Sequence, residues 1–97
     1  MPDPYADLTA GSLAASGQSA AIGPGRAVAI TLYGTWVGTV VLQRKIGAAW
    51  YAIKEASWTA NVSTNFFVGP KPELVRIDFT RSSGTVDYDL RVGPASV

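Results

Sequence analysis

The chain has 97 residues, no cysteine, no histidine and a formal net charge of +1. This composition excludes disulfides, thiolate metal sites and histidine-based catalysis, and the scattered positive residues argue against a nucleic-acid partner. No apolar run approaches the roughly 20 residues that a membrane span needs, so no membrane partner is expected. Charged residues make up 15% of the chain and apolar residues 47%, whereas an average domain has about 25% charged residues. We therefore expect part of the surface to be buried against another protein chain.

The N-terminal residues 1–25 differ in composition from the rest. They hold three of the six prolines and consist mostly of small residues, which bury little area and have weak structure of their own. One interpretation is a frayed tail. The other is an extended arm that becomes ordered on a neighbouring subunit, with Leu13 and Ile22 as anchors.

A short edge strand is predicted at residues 18–22, followed by a Gly-Pro-Gly turn at residues 23–25. We place a boundary there, with the extended N-terminal arm over residues 1–25 and a β-sandwich domain over residues 26–97. This division predicts that the domain stays folded when the arm is removed.

Residues 32–45 form the longest run of strand-forming residues. Regular alternation predicts one strand at residues 26–33, a turn at Gly34-Thr35 and a second strand from Trp36 onward. The side chains of this second strand divide between two faces. Core positions are predicted for Trp36, Val40 and Leu42. The opposite face, left open to a partner, carries Val37, Thr39 and Val41.

The middle of the chain predicts further hairpins. Residues 46–49 form a glycine-containing loop that returns residues 50–53 against the long strand, and residues 54–56 form the next turn. Residues 57–65 alternate as a strand with one dry face and one wet face. A short apolar piece, residues 66–68, precedes prolines that cannot lie in a central strand.

The C-terminal part has the clearest alternation, in strands at residues 74–80 and 85–92. A hairpin at residues 81–84 is predicted between them. It would bring Arg76 and Asp78 near Asp87, Asp89 and Arg91 on the solvent face. In all, about seven or eight strands and no helix are expected. The predicted fold class is all-β, an antiparallel β-sandwich of the jelly-roll or immunoglobulin-like type.

Few residues offer catalytic chemistry. Asp87 and Asp89 lie on one strand face about 7 Å apart, a spacing that suits a carboxylate pair. The simpler interpretation, a solvated polar face flanked by arginines, is preferred, so we expect no enzymatic activity. We also expect no metal ion or other cofactor, because no loop has the spacing of oxygen ligands that a calcium site requires.

The aromatic residues provide the other candidate surface. Trp36, Trp50 and Trp58 each lie in register with apolar neighbours and are predicted to pack in the core. Tyr33 and Phe67 lie in less apolar registers and are candidates for exposed contact. Tyr51 is a further candidate, although it shares its register with an isoleucine.

The run at residues 34–44, Gly-Thr-Trp-Val-Gly-Thr-Val-Val-Leu-Gln-Arg, is followed by Trp50. This pattern resembles small all-β virion proteins of tailed bacteriophages, in which a Gly-Thr-Trp-x-Gly-Thr-Val-x-Leu-Gln-Arg strand precedes a hairpin and a tryptophan. The Ser-Gly-Thr-Val of residues 83–86 and the segment at residues 16–22 are also similar. The resemblance covers residues 17–92, but residues 46–49 replace the acidic, glycine-rich turn of that family.

The resemblance implies a structural protein located in the virion, such as a capsid decoration (cement) protein or a small tail or head-to-tail component. The implied partners are the major capsid protein or other virion subunits and further copies of the chain, as a homo-oligomer. Partner contacts are expected at Leu13, Ile22, Tyr33, Val37, Thr39, Val41, Tyr51 and Phe67. The alternative is a carbohydrate-binding module, which requires an exposed tryptophan or tyrosine platform.

Overall fold

The computed structural model describes residues 7–25, 27–68 and 73–92. These residues form one antiparallel sheet of seven strands and contain no helix. The all-β prediction is thereby confirmed. The strands are β1 (Asp7–Leu13), β2 (Gly17–Gln18), β3 (Ile22–Gly25), β4 (Ala27–Ile46), β5 (Ala49–Trp58), β6 (Val62–Phe67) and β7 (Glu73–Val92).

Two strands of 20 residues each, β4 and β7, form the centre of the sheet. They pair from Val28 opposite Val92 to Arg44 opposite Val75. Shorter strands flank each half of this pair. We call the part made of β1, residues 86–92, residues 27–32 and β6 the first half-sheet. The second half-sheet consists of β2, β3, residues 73–79, residues 40–46 and β5.

The buried side chains of both half-sheets belong to one hydrophobic cluster. Its members are Ile22, Val28, Ile30, Leu32, Trp36, Val40, Leu42, Ala56, Val68, Val75, Ile77, Phe79, Val86, Tyr88, Leu90 and Val92. On β4 they occupy alternate positions, and we call this the inner face of the sheet and its opposite the outer face. The predicted core positions Trp36, Val40 and Leu42 are confirmed. Burying each large aliphatic side chain contributes about 1.5–3 kcal/mol to stability.

Glycines bend the central pair where the two half-sheets meet. Gly38 has a φ of 150° and Gly84 a φ of 78°, and the register between β4 and β7 shifts between Val37 and Gly38. The predicted turns at Gly34-Thr35 and at residues 81–84 are therefore wrong, because both strands continue through them. Glycine with positive φ serves a bulge or a bend as readily as a turn, so the residue type alone does not separate them.

One consequence concerns the predicted pairing of charges near the C-terminus. Residues 74–80 and 85–92 are two halves of the single strand β7, not the arms of a hairpin. Each half pairs with a different part of β4: Arg76 lies opposite Gln43 and Asp89 opposite Thr31. The expected cross-strand contact between Arg76 or Asp78 and Asp87 or Asp89 is therefore wrong.

The hairpin between β4 and β5 is confirmed, with Ile46 opposite Ala49 and a positive φ of 64° at Gly47. The turn predicted at residues 54–56 is wrong. There β5 continues through a bulge at Glu55, whose φ is 67°. The strand predicted at residues 57–65 is interrupted, since β5 ends at Trp58 and β6 begins at Val62.

The N-terminal segment enters the same sheet. Strands β1, β2 and β3 all pair with β7, and the side chain of Ile22 is only 5% exposed. The strand predicted at residues 18–22 is divided between β2 and β3, and the Gly-Pro-Gly of residues 23–25 lies within β3 rather than in a turn. The predicted boundary after residue 25 thus falls between two strands of one sheet. The first six residues of the predicted arm and the proline-containing segment 69–72 lie outside the described residues.

Buried Ser19 closes the gap between β2 and β3. Its backbone N–H donates to the carbonyl oxygen of Ile77 at 3.0 Å, and its hydroxyl oxygen accepts from the N–H of Ile77 at 3.0 Å. A serine side chain thereby takes the place of a backbone carbonyl at the edge of β7. The backbone groups of Ile77 are satisfied although no regular strand pairs with this residue on that side.

Candidate functional site

The structure leaves four of the predicted contact residues exposed. The exposed fractions are 50% for Tyr33, 58% for Val37, 53% for Tyr51 and 67% for Phe67. Large apolar side chains with this exposure are candidates for binding when they form a patch, whereas single exposed residues are ordinary. Their relative positions on the sheet therefore decide which of them can act together.

The other four predicted contact residues are covered to different degrees. Thr39 and Val41 are half-buried on β4. Leu13 is partly buried and packs against the core. Ile22 lies inside the core, so its predicted role as an exposed anchor is wrong. Its register opposite Val75 turns the side chain toward the inner face.

Tyr33, Val37, Thr39 and Val41 lie in a row along the outer face of β4. Phe67 is also on the outer face, but it lies opposite Ala27 at the far end of the first half-sheet. Ala27 and Tyr33 are six positions apart on β4, so Phe67 lies about 20 Å from Tyr33 along the strand direction. Tyr51 lies opposite Arg44 and shares the inner-face register, at the margin of β5. The predicted contact residues thus do not form one patch.

An open depression of about 370 Å³ lies on the outer face of the first half-sheet. It is lined by Ala29, Thr31, Tyr33, Asn65, Asp89 and Arg91. The strand register explains this composition. Asn65 and Arg91 flank Ala29 on β6 and β7, and Asp89 lies opposite Thr31. Sequence reasoning missed Asn65 and did not connect Asp89 with Tyr33, because alternation gives the face of a residue but not its neighbours on other strands.

The polar groups of the depression are held in place. Arg91 donates from Nε to Oδ1 of Asp89 at 2.9 Å and from Nη2 to Oδ2 at 3.2 Å. The two side chains are close because residues two apart point to the same face of a strand. On the neighbouring strand pair, the hydroxyl oxygens of Thr31 and Ser63 are 3.0 Å apart. The two charged side chains of the lining are therefore paired with each other, and the pair carries no net charge.

The second candidate carboxylate, Asp87, lies on the same face as Asp89. It accepts a hydrogen bond from the hydroxyl of Ser12 on β1. Each carboxylate of the proposed pair thus has a partner within the sheet. Within residues 7–25, 27–68 and 73–92, no three acidic side chains cluster so as to hold a metal ion.

The tryptophans occupy three different environments. Trp36 is buried, contacts Phe79 edge to face at 5.7 Å, and donates from Nε1 to Oδ1 of Asn61 at 2.7 Å. Trp58 is half-buried, packs against the core and meets Phe66 edge to face at 6.1 Å. The predicted core packing is thus confirmed for Trp36, while Trp58 lies at the margin of the core.

The core position predicted for Trp50 is wrong. Trp50 pairs with Lys45 on the outer face, and the guanidinium carbon of Arg76 lies 4.2 Å from the centroid of its ring. Arg76 also donates from Nε to Oε1 of Gln43 at 2.8 Å. The half-buried ring is thus occupied by a cation of its own chain. The residues next to Trp50 in the sequence are apolar, so the sequence pattern did not indicate that its side chain lies on the outer face.

The described part of the chain contains no helix with the length and hydropathy of a membrane span. No protein-family model matches the chain, and no curated protein or solved structure is significantly similar to it. The resemblance to virion proteins of tailed phages therefore stays a prediction.

Proposed function

We propose that the chain is a structural protein of a tailed-phage virion, most simply a capsid decoration (cement) protein. In this proposal it binds the major capsid protein or other virion subunits and further copies of itself, and it has no catalytic activity. A small tail or head-to-tail component would use the same kind of contact. We further propose that the two half-sheets face each other as the layers of a β-sandwich, of the jelly-roll or immunoglobulin-like type.

The observation that carries this proposal is the outer face of β4 at the bend. Val37 lies there with 58% of its surface exposed, more than any other valine, leucine or isoleucine of the described residues. Thr39 and Val41 lie on the same face of β4. The strand carries no charged residue from residue 27 to residue 43. A long uncharged strand face with an exposed β-branched residue at its centre suits burial against another protein.

The backbone of β4 near Val37 offers a second feature that suits a protein contact, an edge without a neighbouring strand. In the described part of the chain, β6 pairs with β4 only up to Leu32 and β5 only from Val40. Between these points the edge of β4 is not covered by a strand, although Asn61 donates to the carbonyl oxygen of Gly34 at 3.1 Å. A strand from a virion subunit could be added at this edge, with Val37 contributing apolar area beside it.

Replacing Val37 by Asp is expected to weaken attachment to phage particles by about 30-fold, because an unpaired carboxylate would be buried at the centre of the contact. Particles grown from a genome lacking the gene would be mixed with purified chain and sedimented. The bound chain would then be quantified by gel densitometry across a concentration series.

The matched control is Thr59→Asp, which places the same charge at an exposed residue of the connection between β5 and β6. It should bind like the unmodified chain, and both variants should keep the thermal midpoint of the original. Equal binding by the Val37 and Thr59 variants would remove Val37 from the contact surface.

The proposed virion role is tested by asking whether the chain is present on phage particles. An antibody against the chain, detected with gold in electron micrographs, should label particles released by cells whose phage genome encodes it. Label on heads supports the decoration protein, and label on tails supports the tail component. Particles without label, from cells that contain the expressed chain, would contradict any virion role.

A further inference from the structure

We propose that the depression on the outer face of the first half-sheet binds a neutral sugar ring, with Tyr33 as the stacking platform. This site goes beyond the virion role and does not depend on it. Val37, the centre of the proposed protein contact, follows Tyr33 by four residues on the same strand face, about 13 Å away. The two surfaces can therefore be tested separately.

The floor of the depression provides the space for a ring. Ala29 and Thr31 are small side chains at successive outer positions of β4. The longer Asn65 and Arg91 flank Ala29, and Asp89 lies opposite Thr31 on β7. The resulting volume of about 370 Å³ lies near the lower end of the range for small-ligand sites. The depression is open to solvent, which would let further sugar units extend from the bound one.

Tyr33 provides the apolar contact at one end. Half of its surface is exposed, and tyrosine combines an apolar ring face with a polar tip. A pyranose presents a face of C–H groups that packs on an aromatic ring, while its hydroxyls remain at the periphery. Among the described residues no cation lies over this ring, whereas Arg76 covers the ring of Trp50.

Three polar side chains provide the directional contacts. Asp89 accepts hydrogen bonds, Arg91 donates them, and the amide of Asn65 does both, which matches hydroxyls that are each donor and acceptor. Two hydrogen bonds from the Arg91 guanidinium to the Asp89 carboxylate hold these two groups side by side. The lining holds one positive and one negative charge, and the Asp87 carboxylate opposite Tyr33 adds a second negative charge beside it. The site therefore favours a neutral sugar over a sugar phosphate or a sugar acid.

The test is a titration of the ¹⁵N-labelled full chain followed by amide chemical shifts. The probes are the methyl glycosides of mannose, glucose, galactose and N-acetylglucosamine, with glucose 6-phosphate as the charged comparison. At least one neutral glycoside should give saturable shifts at Ala29, Thr31, Asn65 and Asp89, with a Kd of about 1 mM. Tighter binding of glucose 6-phosphate than of every neutral glycoside would overturn the assignment to neutral sugars.

Two tyrosine variants provide the matched comparison. Tyr33→Ala should weaken binding at least about tenfold, whereas Tyr33→Phe keeps the ring and should bind within about twofold. Tyr51 has nearly the same exposure as Tyr33 but lies away from the depression, so Tyr51→Ala should leave the Kd unchanged. Dispersed spectra of each variant report that it is folded. No saturable shift with any neutral glycoside, or equal effects of Tyr33→Ala and Tyr51→Ala, would overturn the proposal.

Discussion

Replacing Gly38 by Ala is expected to lower the free energy of unfolding by about 3–5 kcal/mol, a large part of the stability of a small domain. A Cβ at this position would lie 2.2 Å from the carbonyl oxygen of Thr80 and 2.9 Å from a ring carbon of Phe79. The φ of 150° adds strain for any L side chain. Urea unfolding followed by tryptophan fluorescence would measure the loss, because Trp36 is buried beside Phe79.

Gly17→Ala is the matched control for this measurement. A Cβ at Gly17 would meet no atom within 4 Å, so the free energy of unfolding should change by no more than about 0.5 kcal/mol. If Gly38→Ala were as well tolerated as Gly17→Ala, the close approach of Thr80 and Phe79 to Gly38 would be wrong.

Removing residues 1–25 is expected to prevent stable folding. The deletion removes β1, β2 and β3, which pair with β7 within residues 73–79 and along residues 86–92. It also removes Ile22 from the core, and truncating a buried isoleucine alone costs about 2–5 kcal/mol. The uncovered edge of β7 would then favour aggregation. Size-exclusion chromatography and amide chemical-shift dispersion would show the loss of a folded monomer.

Two point variants separate the contributions of this segment. Ile22→Ala should remain folded but lose about 2–5 kcal/mol of stability. Leu8→Ala, at a side chain that is 52% exposed, should lose less than about 1 kcal/mol. A truncated chain with dispersed amide signals and an unchanged thermal midpoint would instead support the separable arm predicted from composition.

The proposed virion contact and the proposed sugar site lie on one strand but would act in different ways. In these proposals Val37 contributes apolar area near an uncovered backbone edge, whereas Tyr33 acts with polar groups of β6 and β7. A variant that impairs particle attachment but keeps the sugar titration unchanged would show that the two surfaces are independent.

Alternation determined much of the strand content and the inner face. The positions of Trp36, Val40 and Leu42 followed from a period of two, because neighbouring side chains of a strand must point to opposite faces. The hairpin between β4 and β5 also followed, since Ile46 and Ala49 enclose a turn that contains Gly47. These features depend on residues close together in the chain.

The tertiary structure decided the rest. A change of backbone direction is signalled by Gly34, Gly38 and Gly84. Whether a strand ends or bends at such a glycine depends on the strand beside it. Here β4 and β7 stay paired with each other and both continue. Pairing of residues 7–25 with β7 likewise depends on contacts that are distant in sequence, from 48 residues between Gly25 and Glu73 to 85 residues between Asp7 and Val92. The depression beside Tyr33 appears only when β6 and β7 flank β4 in one register. The sequence by itself thus determined the face of most strand side chains, with Trp50 as an exception, whereas long-range pairing determined what each side chain faces.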